Sequence, residues 1–212
     1  MARFKNGLNG IFTGKIGNLI GIERNGKQFG RSIPKPSKKP PTQGQLNERA
    51  KFRTAMNWLK PLGPFINIGY KNGHDNATPL NRALSYHLKE AMLGAGQNYE
   101  MDYPKVILSR GELLASWLLE VMPQGNHILY IKWDNPPETL YCHAEDRISM
   151  IFYNPEKEQY LIYENVIERS AKEVSLQLEK DFSGDTLHGW MYCVNKGATH
   201  VSTSVYLGRH TV

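Results

Sequence analysis

Arg147-Ile148-Ser149-Met150-Ile151-Phe152-Tyr153 reads as a β-strand. Ile148, Met150 and Phe152 recur at every second residue and so share one face of an extended chain. The run stops at Asn154-Pro155, a turn signal. Working outward, short extended runs of the same kind fall at 105–108, 116–121 and 127–133 on one side, and at 159–164, 173–178, 187–194 and 201–207 on the other. In the last of these Val201, Thr203, Val205 and Leu207 alternate with Ser202, Ser204 and Tyr206. Turn residues separate the runs at Pro123-Gln124-Gly125-Asn126, Asn135-Pro136-Pro137, Ser183-Gly184-Asp185 and Asn195-Lys196-Gly197. Seven or so short strands in about 100 residues are the pattern of an antiparallel sandwich. Residues 103–212 are therefore predicted to form an immunoglobulin/fibronectin-like β-sandwich.

Upstream the periodicity is helical. Thr42 is a suitable N-cap, and the spacing predicts a helix from Gln43 to Leu59 that stops at Pro61. Phe52, Ala55, Met56 and Leu59 share one of its faces, with Arg49, Arg53 and Lys60 on the flank. Glycine- and proline-rich residues 61–78 predict a loop with one short strand at 65–70. Thr78 then caps a second helix with Pro79 in its first position. Leu80, Ala83, Leu84, Leu88 and Ala91 form its apolar stripe, and Gly94 is expected to end it. Gly14 and Gly17, among Phe4 and Phe12, predict an irregular extended arm over residues 1–18. Residues 19–31 predict a hairpin about Asn25-Gly26, and residues 33–41 a Pro- and Lys-rich linker. The fold class expected is α+β, with a basic hairpin and two helices at 1–100 and the sandwich behind them.

Charge is distributed unevenly. Residues 1–60 hold 13 of the 26 Lys and Arg against only Glu23 and Glu48, a balance of +11 that leaves −5 for residues 61–212. Such asymmetry speaks of partners and solubility rather than of fold. A hydrophobic content of 40% with 22% charged residues excludes global disorder. Early positive charge is not followed by an apolar run, so no secretory leader is expected. No apolar stretch is long enough to cross a bilayer as a helix, so no membrane association is expected. With only Cys142 and Cys193, a reduced cytoplasmic state is the default, and a single bridge between them stays open.

Candidate chemistry is sparse. Gly14-Lys15-Ile16-Gly17-Asn18 lacks the spacing of a phosphate loop, and strand-like residues rather than a helix follow it. Cys142-His143 and His188 to Cys193 match no zinc-ligand spacing, so no metal is expected. Asp134, Glu145 and Asp146 could make a carboxylate cluster, but turn chemistry explains Asp134 and Asp146. His87 lies beside the apolar stripe of the second helix. No nucleophile elbow, Cys–His pair or cofactor fingerprint is present, so neither enzymatic activity nor a cofactor is expected. The basic block with interleaved Phe4, Phe12, Phe29 and Trp58 suits phosphate contacts and base stacking, and equally suits an acidic protein surface.

Gly14-Lys15-x-Gly17-Asn18 with Gly21, the Arg31…Pro34 segment, Thr42…Gln45…Arg49…Phe52, Asp102-Tyr103, Ser109-x-Gly111 and Ser202-x-Ser204-x-Tyr206-x-Gly208 resemble an uncharacterised bacterial family, a domain of unknown function. The resemblance spans essentially the whole chain and implies a module with a helical front and a β-rich back. It implies no activity, cofactor or catalytic residue. The leading expectation is a non-enzymatic binding or structural module working through protein–protein contacts or self-association. Its candidate surface is Arg24, Lys27 and Arg31 on the hairpin with Arg49, Arg53 and Lys60 on the helix. The alternative is a sequence-independent nucleic-acid binder using the same cations with Phe29 and Trp58. A third reading is a hydrolase whose catalytic groups lie far apart in sequence.

Overall fold

A computed structural model describes residues 3–4, 12–24, 26–36, 39–71 and 77–212. The chain forms two compact units, Met1–Thr42 and Gln43–Val212. The boundary thus falls at residue 42 and not near residue 100. The reason is that the helices and the strands behind them share one hydrophobic core.

The first unit is a four-stranded antiparallel sheet in the order β1 (Arg3–Phe4), β2 (Phe12–Ile16), β3 (Leu19–Arg24) and β4 (Lys27–Ser32). The irregular arm expected over residues 1–18 is corrected, because β1 and β2 are paired strands. Ile16 faces Leu19, so Gly17-Asn18 is a two-residue hairpin turn, with Gly17 at φ 54°. That positive φ gives glycine its place in the Gly14-Lys15-x-Gly17-Asn18 motif. Gly21 has a different reason: a Cβ there would lie 2.4 Å from the Phe12 ring. The expected hairpin about residues 25–26 is present, since Arg24 faces Lys27 and Gly26 has φ 72°; Asn25 itself lies outside the described residues.

The second unit has three layers. Helix α1 spans Gln43–Leu59, α2 Gly63–Gly69 and α3 Pro79–Glu90. They cover one face of the antiparallel sheet β10-β9-β12-β13, made of Gln159–Glu168, Arg147–Asn154, Thr186–Val194 and Val205–Thr211. Its other face shares a core with the sheet β11-β8-β7, made of Glu173–Gln177, Ile128–Asp134 and Trp117–Gln124. A small hairpin, β5 (Met92–Ala95) with β6 (Asn98–Met101), follows α3. Strand β9 is central to this plan. Ile148, Met150 and Phe152 face the second sheet, while Ile151 and Tyr153 face the helices, so both of its faces are buried.

Helix α1 has the predicted limits, but its buried residues are Ala55, Trp58 and Leu59, continued by Leu62 in the 3₁₀ turn that follows, and Phe52 is left exposed. Helix α2 corrects the predicted loop and strand at 61–78. Pro64 sits in its first turn, where a missing N–H costs nothing, and Phe65, Ile66 and Gly69 are buried. Gly69 is there for close packing, since a Cβ would lie 2.6 Å from Leu108 O. The Thr78 cap is as predicted, its side chain accepting from Asn81 N at 3.3 Å. Helix α3 ends at Glu90 rather than Gly94, because residues 92–95 pair into the hairpin.

The strand predicted at 105–108 is also corrected. Tyr103–Lys105 is a 3₁₀ turn, and the following segment is fastened by serines. Leu108 N donates to Ser204 Oγ at 2.8 Å, Ser109 Oγ donates to Ser202 O at 2.8 Å, and Ser204 N donates to Ser109 O at 3.0 Å. The Ser109-x-Gly111 and Ser202-x-Ser204 motifs therefore bind each other. Ser202 is so engaged that its Oγ also accepts from Cys193 N, and β13 begins at Val205 instead of Val201.

Candidate functional site

The predicted surface residues fall into two sets, one on each unit. Lys27, Phe29 and Arg31 alternate along β4 and are all exposed. Arg24 stands opposite Lys27, and its side chain lies outside the described residues. On the second unit Arg49 and Arg53 are one helical turn apart and flank a shallow apolar groove of about 460 Å³ floored by Phe52 and Met56. Lys60 is exposed in the turn that follows. Trp58 is a correction. It is 7% exposed and packs edge-on against Tyr153, Tyr160 and Trp190, so it offers no face for a base to stack upon.

The three carboxylates considered as a cluster stand in separate ion pairs, in keeping with the turn chemistry expected of Asp134 and Asp146. Asp134 pairs with Lys172 at 2.8 Å, Glu145 with Lys196 at 3.1 Å and Asp146 with Arg169 at 3.3 Å. The Lys172 ammonium holds the Asp134 carboxyl below its ordinary range. Among the described residues no three His, Cys, Asp or Glu side chains converge as metal ligands. Cys142 and Cys193 are free and buried, and burial pushes the Cys142 thiol pKa up. His87 and His188 are held neutral, each with its pKa lowered to about 4 chiefly by burial. His87 lies against Ala83 O through Nδ1 at 2.7 Å, and His188 Nδ1 lies 2.6 Å from the Tyr206 hydroxyl.

A surface that the charge pattern does not reveal lies on β7. This strand is the edge of its sheet, bonded to β8 alone among the described strands. A bulge at Leu119 breaks its register, and bulges at sheet edges re-aim side chains. Trp117 is 56% exposed and Leu119 60%. Leu114 N donates to Tyr141 O at 2.8 Å, which joins this strand's approach to the loop carrying Leu140, 83% exposed, and Tyr141. Large apolar side chains in that position signal contact with another surface. The signal in the sequence was Trp117-Leu118-Leu119, which is apolar on both faces of a strand, and Leu140-Tyr141 in an otherwise polar loop.

A buried ion pair holds this surface in place. Arg169 Nε donates to Ser116 Oγ at 3.0 Å, Nη1 to Asp146 Oδ2 at 3.3 Å, and Nη2 to Leu114 O. Asp146 Oδ2 also accepts from His143 N at 3.0 Å. Asn135 Nδ2 and Trp133 Nε1 both donate to Arg169 O. One guanidinium thus ties the segment before β7 to the loop between β8 and β9. A buried charge must be paired in this way to be tolerated at all.

Among the described residues, no helix is long and apolar enough to cross a membrane. No curated protein matches the chain. A family model does match, over residues 11–208, and it takes in the glycine motif of the first sheet and the interlocked serine motifs of the second unit. The chain belongs to DUF6266, a family of unknown function.

Proposed function

We propose that the protein is a non-enzymatic binding module that works through protein–protein contacts, and that the partner its exposed edge fits first is a second copy of the chain. The observation that carries this reading is the apolar edge of β7, where Trp117 and Leu119 stand exposed. An edge strand offers unpaired N–H and C=O groups that an antiparallel strand satisfies, and two copies related by a two-fold axis supply one another. Glu120 on the strand and Glu138 in the adjoining loop argue against phosphate at this surface. Sedimentation velocity over a hundredfold span of concentrations tests it. Wild type is expected to pass from monomer to dimer, and Leu119→Lys to remain monomeric while melting like wild type, since surface changes shift stability by only about 0.5 kcal/mol. A wild-type monomer at every concentration overturns self-association.

A second reading has its own support. On β4 the Phe29 ring lies between Lys27 and Arg31 along an exposed strand, an arrangement suited to a stacked base flanked by phosphates. Binding of a labelled single strand with a steep salt slope, lost in Phe29→Ala, supports this reading.

We further propose that residues 117–211 form a sandwich of the immunoglobulin and fibronectin kind. The seven strands β7 to β13, lettered A to G, fall as A-B-E and D-C-F-G. That order differs from the constant-type arrangement of A-B-E-D and C-F-G by the transfer of one strand. Mean strand directions about 30° apart in a crystal structure support the assignment, and near-orthogonal sheets sink it.

A further inference from the structure

A second cavity, of about 680 Å³, is lined by side chains of α1, of β6 and the turn after it, and of the β9–β10 hairpin. Its wall is aromatic. The ring centroids of Tyr153 and Tyr160 lie 4.7 Å apart, with Trp58 5.6 Å and 5.7 Å from them and Tyr103 5.7 Å from Tyr153. One hydroxyl is used up within the fold, that of Tyr160, which donates to Trp58 O at 2.6 Å. Those of Tyr103 and Tyr153, which also line the cavity, make no hydrogen bond with a described residue.

Among the described residues, the charged groups lining the cavity are Glu100 and Glu158, with no Lys or Arg. Neither carboxylate forms an ion pair among the described residues. Their field reaches the wall. The Tyr103 phenol is pushed up to about 12, first by burial and then by Tyr153, Glu100 and Glu158. Tyr153 and Tyr160 are raised too, first by burial, with Glu158 adding to it. The phenols therefore stay neutral, and the cleft combines the negative faces of several rings with two unneutralised acids. Anions are repelled from such a site and cations are drawn to it. One of the lining rings, Tyr99, already has a cation near it, with Lys51 Nζ 6.0 Å from its centroid.

We infer that this cleft binds an organic ammonium ion, with the cation over the Tyr103, Tyr153 and Tyr160 rings and Glu100 and Glu158 as counter-charges. A quaternary or alkylated ammonium fits better than a metal ion, because rings outnumber oxygen ligands and a weakly hydrated cation loses little on leaving water.

Glu158 makes the inference testable apart from stability. It has φ 52°, in the left-handed region where a side chain is strained and glycine is not. Glu158→Gly therefore removes the carboxylate while relieving the backbone. Tetramethylammonium chloride is titrated into the whole chain, with sodium chloride as the control, and tryptophan fluorescence is read. Wild type is expected to saturate with tetramethylammonium but not with sodium. Glu158→Gln and Glu158→Gly are each expected to weaken binding about fivefold, the size of one partly exposed charge contact. Glu158→Gly is also expected to melt no lower than wild type. Parallel titrations with choline and with a trimethyl-lysine peptide distinguish a free metabolite from a protein-borne cation. The inference is overturned by an absent response in folded wild type, by equal binding in the Glu100→Gln/Glu158→Gln double variant, or by saturation with a neutral sugar instead.

Discussion

The two faces of the β9–β12 pair carry opposite chemistry. Toward the helices they present Tyr153, Trp190 and Tyr192 with Ile151 and Val194, and the rings of Tyr153 and Trp190 meet Trp58. Toward the second sheet they present Ile148, Met150, Phe152, Leu187 and Met191, which meet Leu129, Ile131 and Trp133. Polar atoms are treated differently as well. On the helix side Trp58 Nε1, Trp190 Nε1 and His87 Nε2 are buried with no partner among the described residues. At the end of the aliphatic side, each nitrogen of the Arg169 guanidinium has a partner. A neutral ring nitrogen can go unpaired at modest cost, whereas a buried cation cannot. The side toward the second sheet therefore joins the sheets and anchors the β7 surface, and the tyrosine- and tryptophan-rich side is where a cleft can open.

The largest expected effect tests the anchored side. Arg169→Met leaves Asp146 buried without its cation and is expected to destabilise by about 3–5 kcal/mol in urea unfolding at neutral pH. Adding Asp146→Asn should recover part of that loss. A cost under about 1 kcal/mol for Arg169→Met would erase the contrast between the faces.

On the aromatic side the expected effect depends on pH. His87 is neutral when folded, with a pKa near 4 against 6.5 for the free group, so the unfolded chain binds the proton first. Its contribution is fully present above pH 6.5 and is lost as pH falls toward 4, a drop of about 3 kcal/mol. His188 acts in the same direction. Unfolding midpoints of His87→Met between pH 7 and 4 should fall less steeply than those of wild type. An unchanged slope would remove His87 from the account.

The smallest expected effect concerns one hydrogen bond in the aromatic layer. Tyr160→Phe loses the bond to Trp58 O and should cost about 1 kcal/mol, read as a shift in the urea midpoint at constant slope. A larger cost, with a changed slope, would mean that this bond holds α1 to the sheet.

Much of the fold was legible because it rests on local chemistry. Thr78 and Pro79 announce a helix start wherever they stand, and the 43–59 periodicity needs no tertiary help. Strand β9 could be seen as a strand, but its alternation showed one buried face, since only the helices packed on Ile151 and Tyr153 bury the other. Helix α2 is hidden in the sequence because Gly63, Pro64 and Gly69 look like turn residues; Gly69 is there to admit Leu108 O. The candidate site was less legible still. Charge pointed to Arg49, Arg53 and Trp58, and packing then turned Trp58 inward. Leu119 and Leu140 look like core residues until the edge position of β7 and the loop place them outside.

By itself the sequence determined the positions of most strands and of two of the three helices, the hairpin at residues 25–26 and the division of charge. Each of these depends on neighbours a few residues apart, where backbone preference and periodicity decide. Tertiary structure alone decided which faces are buried twice, that the Ser109 and Ser202 motifs clasp one another, and that five aromatic side chains and two acids meet in one cleft. Those outcomes join residues as much as 102 positions apart, and only the packing of layers brings such residues together.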